Sequence, residues 1–302
     1  MWLILLNYAL WSSVFAIGKS AVLASSPLFL TAVRMLAAGA LLVGFQFVRK
    51  KSALRLNLRQ LLSVGLFGFL GVYLTNVLEF WSLERIPAAK VCFLYSLSPF
   101  LSAFLSYIHF GERMTQRKWL GMGLGICAMV PVLMQQTGGL SALGFLTWPD
   151  LAMFGAVVAS VYGWILLRIS LKNESVSTPV ANAVGMLIGG LLAYGHSLLV
   201  EGTWPVSNTS DFAWGVGWMI LISNIICFNL YGLLLKRYTM TLLSFAGLLS
   251  PVFASISAWM LLGEPISWTI IGCSGVILLA LWMIHAEELR LGYLSKETVT
   301  SS

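Results

Sequence analysis

Arg34 and Glu79 are ionisable side chains set inside long apolar runs, LTAVRMLAAGALLVGF around the first and FLGVYLTNVLEFW around the second. A charge in such a setting is costly and faces a partner or a wet cavity. Two charges of opposite sign make either a structural ion pair or a clamp for a zwitterion, with the guanidinium taking a carboxylate and the acid an ammonium. Asn76 and Asn229 add amides that orient polar groups. Trp11, Phe15, Tyr95, Tyr162 and Trp164 add rings that stack on a flat or cationic ligand. These nine residues form the expected substrate-binding set. Pro99 and Pro251 also interrupt apolar runs, and a proline inside a helix removes one hydrogen bond and clashes with the carbonyl four residues earlier, here Tyr95 and Gly247. The pair reads as kinks, or hinges, beside a cavity.

Catalysis finds little support. Paired acids, or a histidine with an acid at one depth, are missing from the apolar runs, so no catalytic residue and no enzyme is expected. Cys92, Cys127, Cys227 and Cys273 lie singly inside those runs, with neither metal-ligand nor disulfide spacing. No G-x-x-x-x-G-K-[S/T] loop occurs, so neither a nucleotide motor nor a cofactor is implied.

The elements that must carry these residues are membrane spans. Of 302 residues, 59% are hydrophobic and 10% charged, and the excess runs along the whole chain. Apolar runs at about 2–18, 27–48, 60–83, 87–108, 119–136, 150–168, 177–200, 213–235, 240–262 and 268–286 give ten transmembrane helices. The net charge of +7 is a topology signal rather than a nucleic-acid footprint. Most Lys and Arg residues, from Arg49 to Arg59, Arg113 to Lys118, Arg168 to Lys172, Lys236, Arg237, Arg290 and Lys296, fall on one face. Lys19, Arg85 and Lys90 fall on the other and read as solvated charges at headgroup level, with Glu84. The positive-inside rule then puts both termini in the cytoplasm, with 287–302 as a cytoplasmic tail.

The chain also repeats itself. Leu97-Ser98-Pro99 recurs as Leu249-Ser250-Pro251 and Gly111-Glu112 as Gly263-Glu264, both 152 residues on. Residues 1–136 and 150–286 therefore read as two five-helix repeats. Five is odd, so the second copy inserts upside down, as in secondary transporters with a midplane substrate site. The glycines at 111 and 263 suit a left-handed helix terminus. Gly121-x-x-x-Gly125 and Gly185-x-x-x-Gly189 suit close helix contact, read as internal packing.

SLSPFLSAFLSYIHFGERMTQRKWLG at 96–121 and LLSPVFASISAWMLLGEPISW at 248–268 resemble the EamA family of the drug/metabolite transporter superfamily. The stretch from Trp11-Ser12 to Lys19 is similar to that family's first helix, and Pro265 departs from it where the first copy has Arg113. The resemblance implies a secondary transporter in a bacterial inner membrane, working by alternating access on a small organic metabolite such as an amino acid or derivative. S-adenosylmethionine is the alternative substrate within the family. A channel or membrane scaffold is the alternative class. Coupling would use a proton, for which Glu79 is the embedded acid, or a counter-substrate.

Overall fold

The structure is a computed structural model, and it describes residues 1–50, 56–83, 85–86, 88–137, 147–173, 175–262 and 268–293. An apolar segment in lipid must satisfy its own backbone groups, and helices do so. The elements are α1 (Trp2–Ala24), α2 (Pro27–Lys50), α3 (Leu58–Phe67), α4 (Thr75–Leu83), α5 (Ala88–Tyr95), α6 (Ser98–Phe110), α7 (Gln116–Thr137), α8 (Trp148–Lys172), α9 (Thr178–Val200), α10 (Thr209–Trp218), α11 (Phe228–Arg237), α12 (Met240–Ala246), α13 (Ser250–Leu262) and α14 (Trp268–Arg290). Among the described residues the extended structure is one isolated bridge, Ser25 to Val206. Among the described residues, seven helical stretches are long and apolar enough to cross a bilayer.

Two stretches carry a π-helical segment, Gly68–Leu74 between α3 and α4 and Met219–Cys227 between α10 and α11. These lie about 152 residues apart, the offset of the sequence repeat. So do α6 and α13, which are 13 residues each and open on Ser-Pro. Their prolines differ in setting, Pro99 following a turn and Pro251 lying within the helical stretch Met240–Ser257. Pro99 stands in the first turn of α6, after a turn at Ser96–Leu97, and Pro251 in the first turn of α13, after a 3-10 turn at Gly247–Leu249. A first-turn position lacks an intrahelical acceptor for its N–H, so proline loses nothing there. The helix expected over 87–108 is therefore two helices meeting at a break.

Two compact units form. The first comprises Met1–Ser13, Trp81–Val158 and Arg237–Ser302; the second comprises Val14–Phe80 and Ala159–Lys236. Each takes segments from both halves of the chain. In the second unit α2 packs along α9, and glycines bring backbones together. A Cβ on Gly68 would lie 2.5 Å from the Gly185 oxygen, and one on Gly163 would lie 2.5 Å from Gly71 Cα. In the first unit α7 packs along α14, with Gly121 against Ile284, and Gly125 meets Phe245 of α12. Both small-xxx-small motifs thus serve contacts inside the chain. Gly111 ends α6 at φ 65°, the left-handed terminus its sequence suggested. Gly263-Glu264 and the tail beyond residue 293 lie outside the described residues.

Candidate substrate site

The second unit holds Arg34, Asn76 and Glu79 together. Arg34 is on α2, and its Nη2 donates to Asn76 Oδ1 at 3.0 Å. Asn76 is on α4 directly after the π-helical segment, and its Nδ2 donates to the Val72 oxygen at 2.6 Å. A π-turn shifts the register of the ladder, and the asparagine takes up the carbonyl four residues back. That bond fixes the amide, so its oxygen must face the arginine. Glu79 is one turn further along α4 and acts electrostatically on Arg34. Arg34 Nε is buried with no hydrogen-bond partner in the protein. The arrangement is a cation held by one neutral acceptor, with a donor left over and an acid nearby.

The same device recurs after the second π-helical segment. Asn229 on α11 donates its Nδ2 to the Ile225 oxygen, four residues back, at 2.7 Å. Its Oδ1 accepts from Asn182 Nδ2 on α9 at 3.2 Å. Here the donor is an amide instead of a guanidinium. Within the second segment Asn224 Nδ2 lies 3.0 Å from Met35 Sδ.

Trp164 on α8 sits among rings, with centroids 4.5 Å from Tyr231, 5.2 Å from Phe228 and 5.9 Å from Phe67. Tyr162 is two residues away on the same helix and so points to a different face. Trp11 and Tyr95 belong to the first unit. Trp11 lies 6.3 Å from the ring of Tyr8, whose hydroxyl donates to the Leu243 oxygen at 2.7 Å. Tyr95 is the last residue of α5, at the break before Pro99. Phe15 is on α1, but its side chain lies outside the described residues.

Two buried ion pairs in the first unit escaped the sequence reading. Lys90, expected to be solvated, bonds Asp150 at 2.7 Å, and the acid is fully buried. Asp150 Oδ2 also accepts from the Thr147 N–H and hydroxyl. Lys118 bonds Glu288 at 3.0 Å with both side chains fully buried. Thr239 donates its hydroxyl to the same carboxylate, and Lys118 lies 5.0 Å from the Tyr293 ring centroid. Lys118 is in the first turn of α7 and Glu288 in the last turn of α14, each against its own helix dipole and each offset by the other. Sequence spacing gives no sign of either pair, because 60 and 170 residues separate the partners.

The EamA-like transporter family matches residues 1–134 and 147–286. The chain belongs to that family. Among relatives, a protein of Chlamydia muridarum named as an S-adenosylmethionine/S-adenosylhomocysteine transporter is 40% identical over 299 residues, covering 97% of this chain and 93% of the relative. Its namesake in Chlamydia trachomatis serovar L2 is 39% identical, covering 97% and 91%. A solved crystal structure at 22% identity superposes with a TM-score of 0.77, over 96% of this chain and 97% of that one, and shows the fold alone. Membership in the EamA-like family and the seven apolar stretches make this a multi-pass membrane protein. The aromatic and amide residues were legible as candidates; Asn182, Phe228 and Tyr231 were not singled out, since nothing local separates them from packing residues.

Proposed function

We propose that this EamA-like transporter exchanges S-adenosylmethionine for S-adenosylhomocysteine across a bacterial inner membrane by alternating access. The observation that carries this reading is the 40% identity, over 97% of the chain, to relatives named for those two molecules. It favours the sulfonium nucleoside over a plain amino acid, while keeping the amino-acid part, since both molecules end in an α-amino acid. Arg34 and Glu79 suit that end. The free Nε edge of the guanidinium takes the carboxylate, and Glu79 takes the ammonium. Asn76 holds the arginine in position. Exchange needs no ion, although Glu79 remains available to carry a proton.

The ten-helix, inverted-repeat arrangement belongs to the same proposal. The recurrence of π-helical segments and Ser-Pro helices near one offset supports it. Loop contacts support the topology, because each joins segments that the charge bias assigns to one face. Ser82 donates to the Pro149 oxygen beside the Lys90–Asp150 pair, on the outer side. Glu201 accepts from the Leu28 and Phe29 N–H groups, also outside. Lys118, Thr239 and Glu288 meet on the inner side. Reporter fusions after Lys51 and after Asn208 should give opposite outcomes; identical outcomes would remove the inversion.

Purified protein in liposomes loaded with S-adenosylhomocysteine should take up labelled S-adenosylmethionine. A panel of amino acids should compete weakly. Uptake of a labelled amino acid that S-adenosylmethionine fails to inhibit would overturn the substrate and restore the broader amino-acid reading.

A further inference from the structure

We infer that the amide pair Asn182–Asn229, with the ring cluster on Trp164, is a subsite for a 6-aminopurine. The inference rests on the proposed transport of an adenosyl compound and assigns the end of the ligand that Arg34 does not take. Everything it uses lies in the second unit.

The orientation of the amides follows from one carbonyl. The Ile225 oxygen can only accept, so the atom of Asn229 bonded to it must be Nδ2. Asn229 Oδ1 then faces α9, and Asn182 must present Nδ2 to it. The remaining atom, Asn182 Oδ1, is buried with no partner, on a side chain with 0% exposure. A buried acceptor without a donor costs about 1–3 kcal/mol, and a ligand N–H recovers it. Asn182 Nδ2 carries two hydrogens and uses one on Asn229. Its second hydrogen remains to be donated. Acceptor and donor side by side on one amide are complementary to the 6-amino group and adjacent ring nitrogen of adenine.

A base also needs a flat apolar neighbour. Phe228 and Tyr231, on the helix that carries Asn229, pack on Trp164 at 5.2 Å and 4.5 Å. Trp164 is only partly buried, so it keeps ring surface for stacking. The Arg34 station uses the same local device with a guanidinium in place of the amide. One copy therefore suits an anion and the other a neutral heterocycle. An adenosyl amino acid has one of each.

The test compares S-adenosylhomocysteine with S-inosylhomocysteine, which carries a 6-oxo group, as competitors of S-adenosylmethionine uptake in proteoliposomes. Native protein should prefer the 6-amino compound about tenfold, the worth of one hydrogen bond. Asn182→Leu should lower competition by S-adenosylhomocysteine about tenfold and bring it level with the inosyl compound. Trp164→Ala should weaken both compounds together. Equal competition by the two purines in the native protein overturns the subsite whatever the variants do. A folded Asn182→Leu protein that keeps the tenfold preference also overturns it. If neither nucleoside competes, the transport reading itself fails and the subsite goes with it.

Discussion

In the unit of Met1–Ser13, Trp81–Val158 and Arg237–Ser302, buried charges meet counter-charges: Lys90 with Asp150, and Lys118 with Glu288. In the unit of Val14–Phe80 and Ala159–Lys236, Arg34 is met by a neutral amide, and Arg34 Nε and Asn182 Oδ1 find no hydrogen-bond partner in the protein. An ion pair ties helices whose sequence positions lie far apart. An unsatisfied donor or acceptor is a standing cost that a ligand removes on binding. The first unit therefore reads as the one whose buried cations are anchored by carboxylates, although Asp150 Oδ1 and Glu288 Oε2 there also lack a hydrogen-bond partner among the described residues, and the second as the one whose buried cation, Arg34, is met by an amide.

The largest expected effect tests the anchored part. Lys118→Met leaves Glu288 buried without its counter-charge, bonded among the described residues only by the Thr239 hydroxyl, and thermal unfolding in detergent should show a loss of about 3–5 kcal/mol. Replacing both partners with apolar residues should restore most of it. If the double variant is as unstable as the single one, the pair is not what holds α7 to α14.

In the second unit the effect should move from stability to transport. Arg34→Gln should reduce uptake of S-adenosylmethionine about a hundredfold, in line with the ~1.5–3 kcal/mol of a hydrogen bond to a charged group, with little change in unfolding. Uptake of the decarboxylated analogue should be nearly the same in native and variant protein. Equal losses for both substrates would mean that Arg34 holds the fold, and the contrast between units would collapse.

Glycine contacts give an intermediate effect. Gly163→Ala would push a Cβ to 2.5 Å from Gly71 Cα, and should destabilise the protein by about 1–3 kcal/mol. Gly275→Ala on α14 meets nothing within 4 Å and should be neutral or slightly stabilising. The smallest effect on transport is expected for Asn76→Ser. It removes the acceptor that orients Arg34, and uptake should fall less than tenfold, because the guanidinium remains and only its positioning is lost. A loss as large as that of Arg34→Gln would make Asn76 a direct ligand.

The amino-acid sequence alone determined the class of this protein. Apolar length, scarcity of charge and the duplicated Ser-Pro and Gly-Glu pairs are local or periodic properties, and lipid leaves such segments helices as their answer. It also marked Arg34, Glu79, Asn76 and Asn229, because a polar residue inside an apolar run is visible without knowing its neighbours. The tertiary structure decided what meets what. Asn76 and Asn229 matter through bonds to carbonyls in π-helical segments, whose register no residue pattern announced. Pro99 stands at a helix start because a turn at Ser96–Leu97 precedes it, whereas Pro251 follows a 3-10 turn inside one helical stretch. Lys90 changed from a surface charge to a buried partner of Asp150, and Asn182 from one apolar-helix residue among many to an acceptor without a donor. These depend on pairs distant in the chain, and a buried polar group acquires its meaning only from the partner that packing brings to it or withholds.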